Sequence, residues 1–219
     1  FQQGQTIFEA AAAADIYIPH LCHHPDFSPQ GGCKVCTVKA GERYLCACTT
    51  EAEPDMKIDS DSQEINEIRQ TVVEMLFIEG NHCCPACERS GNCQLQAVGY
   101  QVGLQETQIP HLLPVRQIDA SHADIILDRD RCILCGLCAR ASVRDGKSIF
   151  AFKGRGHETE LAVCSSSGLL VDSALDATDQ AAHICPVGAL IIRGEGFSTP
   201  IGKRIYDQRS ISSIGNKRP

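Results

Sequence analysis

Apolar residues return with a helical period over residues 65–79. Ile65, Ile68, Val72, Met75 and Leu76 fall on one face, with Glu67, Arg69 and Glu74 on the polar face and Gly80–Asn81 as a stop. This predicts one helix near the middle of the chain, ending about Glu79. Elsewhere the pattern is shorter. Thr6–Ala14 is alanine-rich and predicts a brief helix. Val35–Lys39 and Arg43–Cys48 alternate as strands around a turn at Ala40–Glu42. Polar Asp59–Gln63 reads as a linker, and Gly99–Asp119, with Pro110 and Pro114, as a longer extended one. Ile125–Leu127, Ile149–Phe152, Thr159–Val163 and Leu190–Ile192 predict short strands; Cys138–Asp145 and Leu175–Ile184 predict helices. The fold class expected is α+β in three small units, residues 1–60, 61–105 and 106–219.

Composition explains how such units could hold together. The 219 residues include no Trp, four Tyr and seven Phe, but fourteen Cys. Small units with thin cores commonly lean on metals. No signal-peptide pattern opens the chain, which begins with Phe1, and no run is apolar enough to span a membrane. Thiolate-bound metal in a reducing cytoplasm is therefore expected rather than a disulfide framework. The net charge of −7 argues against nucleic acid as a partner. The tail is the exception: Lys203, Arg204, Arg209, Lys217 and Arg218 face only Asp207. It predicts a short solvated arm laid against a partner subunit, ahead of RNA or lipid binding.

The cysteines fall in three zones. Cys132, Cys135 and Cys138 form a C-x2-C-x2-C run, and Cys185 precedes Pro186 far downstream. The run resembles that of bacterial ferredoxins, in which a further cysteine serves a second cluster. Ser142 stands at that position and Asp176–Ile184 holds no cysteine, so one ligand set survives: Cys132, Cys135, Cys138 and Cys185, for one [4Fe–4S] cluster in a ferredoxin-like unit. Zinc ligands more often come as two separate pairs.

In the first zone Cys22, Cys33, Cys36 and Cys48 give C-x10-C-x2-C-x11-C, similar to plant-type [2Fe–2S] ferredoxins with a longer first loop. Cys46 would share a strand face with Cys48, and both stay open as fourth ligand, with Cys48 preferred for its Ala47-Cys48-Thr49 context. Gly31–Gly32 would let backbone N–H groups approach the sulfurs. Such ferredoxins are β-grasp folds that open with a hairpin. Only Phe1–Gln5 precede the first helix, so the hairpin is expected to be missing from this numbering, leaving a sheet edge exposed.

The middle zone reads His82-Cys83-Cys84-Pro85-Ala86-Cys87, then Cys93. It resembles the His-ligated [4Fe–4S] motif of the complex I large iron–sulfur subunit and of iron-only hydrogenases, H-x3-C-x2-C-x5-C. That spacing would put the histidine at Gly80. The expected set is His82, Cys84, Cys87 and Cys93, with Cys83 as the alternative to His82 and a three-Cys, one-His zinc site as the alternative chemistry. Histidine ligation raises a cluster's potential relative to cysteine alone, as in Rieske centres.

Glu79-Gly80-Asn81-His82, Cys93-Gln94-Leu95-Gln96, Ile184-Cys185-Pro186-Val187-Gly188-Ala189 and Pro200-Ile201-Gly202-Lys203-Arg204 together resemble the small diaphorase subunit of NAD-reducing [NiFe] hydrogenases, the HoxU type, from Thr6 to about Tyr206. NAD-dependent formate dehydrogenases and complex I share the layout in subunits that continue for hundreds of residues. A chain ending at Pro219 is expected to be the diaphorase subunit, with those two, or a stand-alone ferredoxin-type carrier, as alternatives. The resemblance implies an electron relay with no substrate site of its own. FMN, NAD and the [NiFe] centre would reside on partners: the flavin/NAD-binding diaphorase large subunit and the hydrogenase small and large subunits. The residues agree, since no Rossmann glycine pattern or P-loop occurs, and Gly154-Arg155-Gly156-His157 lacks the third glycine and the helix. No membrane partner is expected. His20, His23, His24 and Asp26 are expected to be solvated loop residues. His111, His122, His157, His183 and Cys164 are given no role.

Overall fold

A computed structural model describes residues 1–215. Thr6 starts the first element with a capping box: its hydroxyl accepts from the Glu9 N–H at 3.2 Å, and Glu9 accepts from the Thr6 N–H at 2.7 Å. Helix α1 (Ile7–Ala13) follows and buries Ile7 and Phe8. Strands β1 (Thr37–Ala40) and β2 (Arg43–Cys46) pair antiparallel around Gly41–Glu42, with Ala40 opposite Arg43. Gly41 has φ +60°, which a two-residue hairpin loop requires. Strand β3 (Ile58–Asp59) pairs with the other side of β1, so the order is β2-β1-β3. Its two residues carry no alternation, and the polar stretch expected to be a linker begins inside it. A small core of Ile7, Phe8, Ile18, Cys36, Val38, Ala47 and Cys48 lies under this sheet.

Helix α2 (Gln63–Ile78) starts at Ser62, whose side chain caps the Ile65 N–H. Its buried face is rotated from the expected one. Met75 is half exposed, whereas Arg69 and Glu74 are buried. Backbone acceptors and donors decide this. Arg69 donates twice to the Thr37 carbonyl, at 3.1 and 2.8 Å, and once to the Ser60 carbonyl at 2.7 Å. Glu74 accepts from the Gln108 and Ile109 N–H groups. A charged side chain enters an interior only with such partners. Hydropathy could not show them.

Helix α3 (Gln94–Gln101) packs on α2, and an extended segment leads to β4 (Ile118–Asp119). The last unit is built on β5 (Ile125–Asp128), flanked by β4 and, antiparallel, by β8 (Leu190–Ile192). Between them come α4 (Leu137–Arg144), the hairpin of β6 (Phe150–Lys153) and β7 (Glu160–Val163), and α5 (Gln180–His183). The helix expected over Leu175–Ile184 is only its last turn. Asp176 instead accepts from the Thr178 N–H at 2.8 Å and donates its own N–H to Asp179, a local turn that competes with helix.

The basic tail is not a solvated arm. Two short helices, α6 (Ile205–Gln208) and α7 (Ile211–Ile214), lie on the body, and Ile211 is buried. Arg204 is 1% exposed; it donates to the carbonyls of Glu88, Ser90, Gly196 and Thr199 at 2.6–3.0 Å. Lys217 and Arg218 lie outside the described residues.

Replacing Arg69 by Ala strands the Thr37 and Ser60 carbonyls, and is expected to cost about 3 kcal/mol. A lowered denaturant midpoint measures it, with exposed Arg43→Ala as the control that leaves the midpoint in place.

Candidate iron–sulfur sites

Four of the five cysteines of the first zone converge. The Cys36 and Cys48 sulfurs lie 3.4 Å apart, and Cys22 adjoins both Cys33 and Cys48. All four are buried. The Cys22 thiol is held well below its usual range by hydrogen bonds from Cys33 and Cys48, aided by the N–H groups of Cys33 and Gly32. Cys36 is drawn down to about 7 by the bond from Cys48. Cys33 and Cys48 are pushed up by their contacts with the neighbouring thiols and by burial. Gly31, at φ +66°, passes so close to Thr49 that a Cβ would lie 2.9 Å from its methyl group.

Cys46 is separate from this group. Strand β2 ends at Cys46 and the chain turns, with the Thr49 and Thr50 N–H groups donating to the Cys46 carbonyl. Strand parity therefore does not carry through to Cys48, and the Cys46 sulfur accepts from Lys34 instead, at 3.5 Å. His20 and His23 depart from the solvated expectation. They are 4% and 8% exposed, with ring centroids 4.8 and 4.1 Å from Phe8. The Phe8 ring, delivered by the first turn of α1, packs against both.

His82, Cys84, Cys87 and Cys93 line one small cavity with Phe77 and Gly188. The His82 ring is pushed down to about 4 by burial and by the Arg131 charge. It is thus the neutral imidazole that a metal takes. Its Nε2 is buried without a hydrogen-bond partner. Gly80, where the related motif would place its histidine, has no space for a side chain. A Cβ there would collide with the His82 ring and lie 2.8 Å from the Asp130 carbonyl. Burial raises the Cys84 thiol and pushes Cys93 up to about 12. Cys83 lines the same cavity but is exposed.

Cys132, Cys135, Cys138 and Cys185 line a second cavity, walled by Ile133, Phe152, Leu161, Val187 and Leu190. Burial pushes Cys132 up to about 11 and raises Cys135 and Cys138 as well. The loop between them takes left-handed backbone at Leu134, φ +53°, and at Gly136, φ +69°. Strain of that kind at a non-glycine residue collects at functional sites. Here it turns the Leu134 and Leu137 N–H groups toward Cys132 and Cys135. Ser142, in place of the extra ferredoxin cysteine, is fully buried and donates to the Ala139 carbonyl at 2.9 Å. Cys164 is exposed.

These donor sets fit iron–sulfur groups. Buried thiolates need a cation to offset desolvation, and an iron core supplies one. Among the described residues no three His, Cys, Asp or Glu side chains close on a single point as ligands of one metal ion do.

The three sites share walls. One apolar core contains Cys22, Cys33, Cys93 and Cys135, with Cys132 and Cys185 packed against it. Gln94 joins all three zones, donating its N–H to the Pro186 carbonyl at 2.8 Å and its side chain to the His20 carbonyl at 2.9 Å. Arg140 donates to the carbonyls of Cys22 at 2.6 Å, Ser28 at 2.9 Å and Cys135 at 3.2 Å. Sequence reading missed Arg140, Arg204 and Gln94 as parts of the sites. The one available signal was an arginine two residues beyond Cys138.

Known families cover most of the chain. Residues 1–63 match a 2Fe-2S iron-sulfur cluster binding domain, residues 69–108 the NADH-ubiquinone oxidoreductase-G iron-sulfur binding region, and residues 125–192 a 4Fe-4S single cluster domain. The gamma subunit of the NAD-reducing hydrogenase HoxS of Cupriavidus necator is 38% identical over 96% of this chain and 90% of its own length. The HndD subunit of the NADP-reducing hydrogenase of Solidesulfovibrio fructosivorans is 29% identical over 86% of this chain, which spans only 34% of that protein. A crystal structure of NAD+-reducing [NiFe]-hydrogenase in the H2-reduced state superposes with a TM-score of 0.96 at 49% identity, covering 99% of this chain and 92% of that one. No helix among the described residues is long and apolar enough to cross a membrane. In fold, and in sequence over nearly its whole length, the chain belongs to the iron–sulfur family of the NAD-reducing hydrogenase gamma subunit.

Proposed function

We propose that the chain is the electron-relay subunit of a cytoplasmic NAD-reducing hydrogenase. It holds one [2Fe–2S] cluster on Cys22, Cys33, Cys36 and Cys48. One [4Fe–4S] cluster is held by His82, Cys84, Cys87 and Cys93, and another by Cys132, Cys135, Cys138 and Cys185. Its partners are the flavin/NAD-binding diaphorase large subunit and the hydrogenase small and large subunits, which carry FMN, NAD and the [NiFe] centre. The observation that carries this reading is one shared apolar core that reaches cysteines of all three sets, Cys22 and Cys33, Cys93, and Cys135, in a chain alike over its length to such a subunit.

Iron–sulfur groups accept and release single electrons, whereas hydride chemistry moves two, so the conversion belongs to a flavin elsewhere. The residues of this chain position and insulate. Leu21, Val35, Leu95, Leu137 and Val187 exclude water from around the thiols. Arg140 holds the Cys22 and Cys135 loops at fixed separation. A run of exposed apolar residues, Leu112, Leu113, Val115 and Ile118, supports a permanent subunit contact over a transient carrier.

The complex purified anaerobically is expected to contain about ten iron atoms and as much labile sulfide per copy of this chain as three clusters require, beyond what its partners hold. It should reduce NAD+ with hydrogen and not with formate. Stoichiometric zinc, with no paramagnetic signal after dithionite reduction, would sink the reading.

Ligand exchange tests the individual sets. Cys48→Ser is expected to abolish or alter the [2Fe–2S] paramagnetic resonance signal while Cys46→Ser preserves it. His82→Ala should alter or remove the middle [4Fe–4S] signal, and Cys83→Ser should leave it intact. The reverse outcome in either pair would exchange the ligands.

A further inference from the structure

We propose that Arg131 acts through Cys87 to raise the reduction potential of the middle cluster. The inference rests on the assignment of Cys87 as a ligand. Arg131 directly precedes Cys132, so its backbone belongs to the loop of the last cluster. Its side chain points the other way. Nη1 lies 3.7 Å from the Cys87 sulfur and 2.9 Å from Glu88, while Nε lies 2.8 Å from Asp128. The two carboxylates fix the guanidinium from either side, which leaves little freedom in the N–H aimed at the sulfur.

Gly188 keeps the approach open. It follows Cys185 in the last cluster's loop, and a Cβ there would lie 3.3 Å from the Cys87 sulfur and 3.4 Å from Arg131 Nη1. Beside the Cys87 sulfur the seam therefore holds the Arg131 guanidinium, the Arg89 side-chain stem and the bare Gly188 backbone. Arg131 is about three-quarters buried in side-chain terms, so water screens this contact weakly.

The electrostatic consequence has a definite sign. Reduction adds one negative charge to the cluster and its thiolates. A cationic N–H donor at a ligand sulfur favours the reduced form and raises the potential. Glu88 opposes this, because it shares the same Nη1 and brings a negative charge. Loss of Arg131 should lower the midpoint, and loss of the Glu88 charge should raise it. Simple loosening of the loop has no reason to move the two variants in opposite directions.

The test is a redox titration of the anaerobic full complex, followed by paramagnetic resonance of each cluster. Arg131→Gln is expected to shift the middle cluster's midpoint down. Arg131→Lys, which keeps the charge but loses the fork, is expected to shift it down by less. Glu88→Gln is expected to shift it up, with the [2Fe–2S] midpoint unmoved in all three. An unmoved midpoint in Arg131→Gln, or a downward shift in Glu88→Gln, overturns the role. Should Arg131→Gln fail to load the cluster, Arg131→Lys and Glu88→Gln decide by the same signs. A wild-type complex without a middle cluster would overturn the site itself, whereas an intact wild-type cluster with unmoved variants overturns only the role of Arg131.

Discussion

Thiols placed in an apolar interior constrain everything else in this chain. A buried thiolate is costly without a positive partner or hydrogen bonds, and burial, joined by neighbouring thiols, pushes Cys93 and Cys132 up to about 12 and 11. The described structure answers in two ways. It turns backbone N–H groups at the sulfurs, as Gly32 and Cys33 do for Cys22 and as Leu134 does for Cys132. It also leaves cavities whose walls carry the donor sets and which suit cationic iron. The strained backbone at Leu134 and the bare backbone at Gly188 follow from that demand.

Arginines do the joining that a thicker core would do in a larger domain. Arg69 ties α2 to the first sheet, Arg140 ties the Cys22 loop to the Cys135 loop, and Arg204 ties the tail to the loop after Cys87. Each offers several fixed N–H donors to carbonyls that local secondary structure leaves unpaired. This arrangement holds position without adding bulk. Sites meant to exchange electrons need fixed, short separations more than they need a large hydrophobic mass. The same side chain is used differently at Arg131, which meets a sulfur and two carboxylates rather than carbonyls.

The sites also share material. Leu95 and Val187 belong to one core that touches cysteines of all three zones. Family assignments divide the chain at residues 63, 69, 108 and 125, yet packing does not respect those divisions. Gln94, at the start of α3, bonds to backbone of both the first and last zones. The three units are thus coupled mechanically as well as by sequence.

Sequence by itself determined the fold class and the spacing of the cysteines within each loop. C-x2-C spacings, the Gly31–Gly32 pair and the position of Ser142 are local facts, because a few consecutive residues dictate where their own side chains can reach. Thr6–Ala14 and the hairpin at Gly41 were legible for the same reason. Tertiary structure alone decided the choices that depend on distant backbone. It rotated α2 to bury Arg69 and Glu74. It packed His20 and His23 against Phe8, and it drew Arg204 into the body. Arg140 reaches a carbonyl 118 positions away and Arg204 one 116 away. A charged residue in a linear pattern reads as solvent-facing, since hydropathy counts its cost in water-free surroundings but not the carbonyls that remove that cost once the chain has folded.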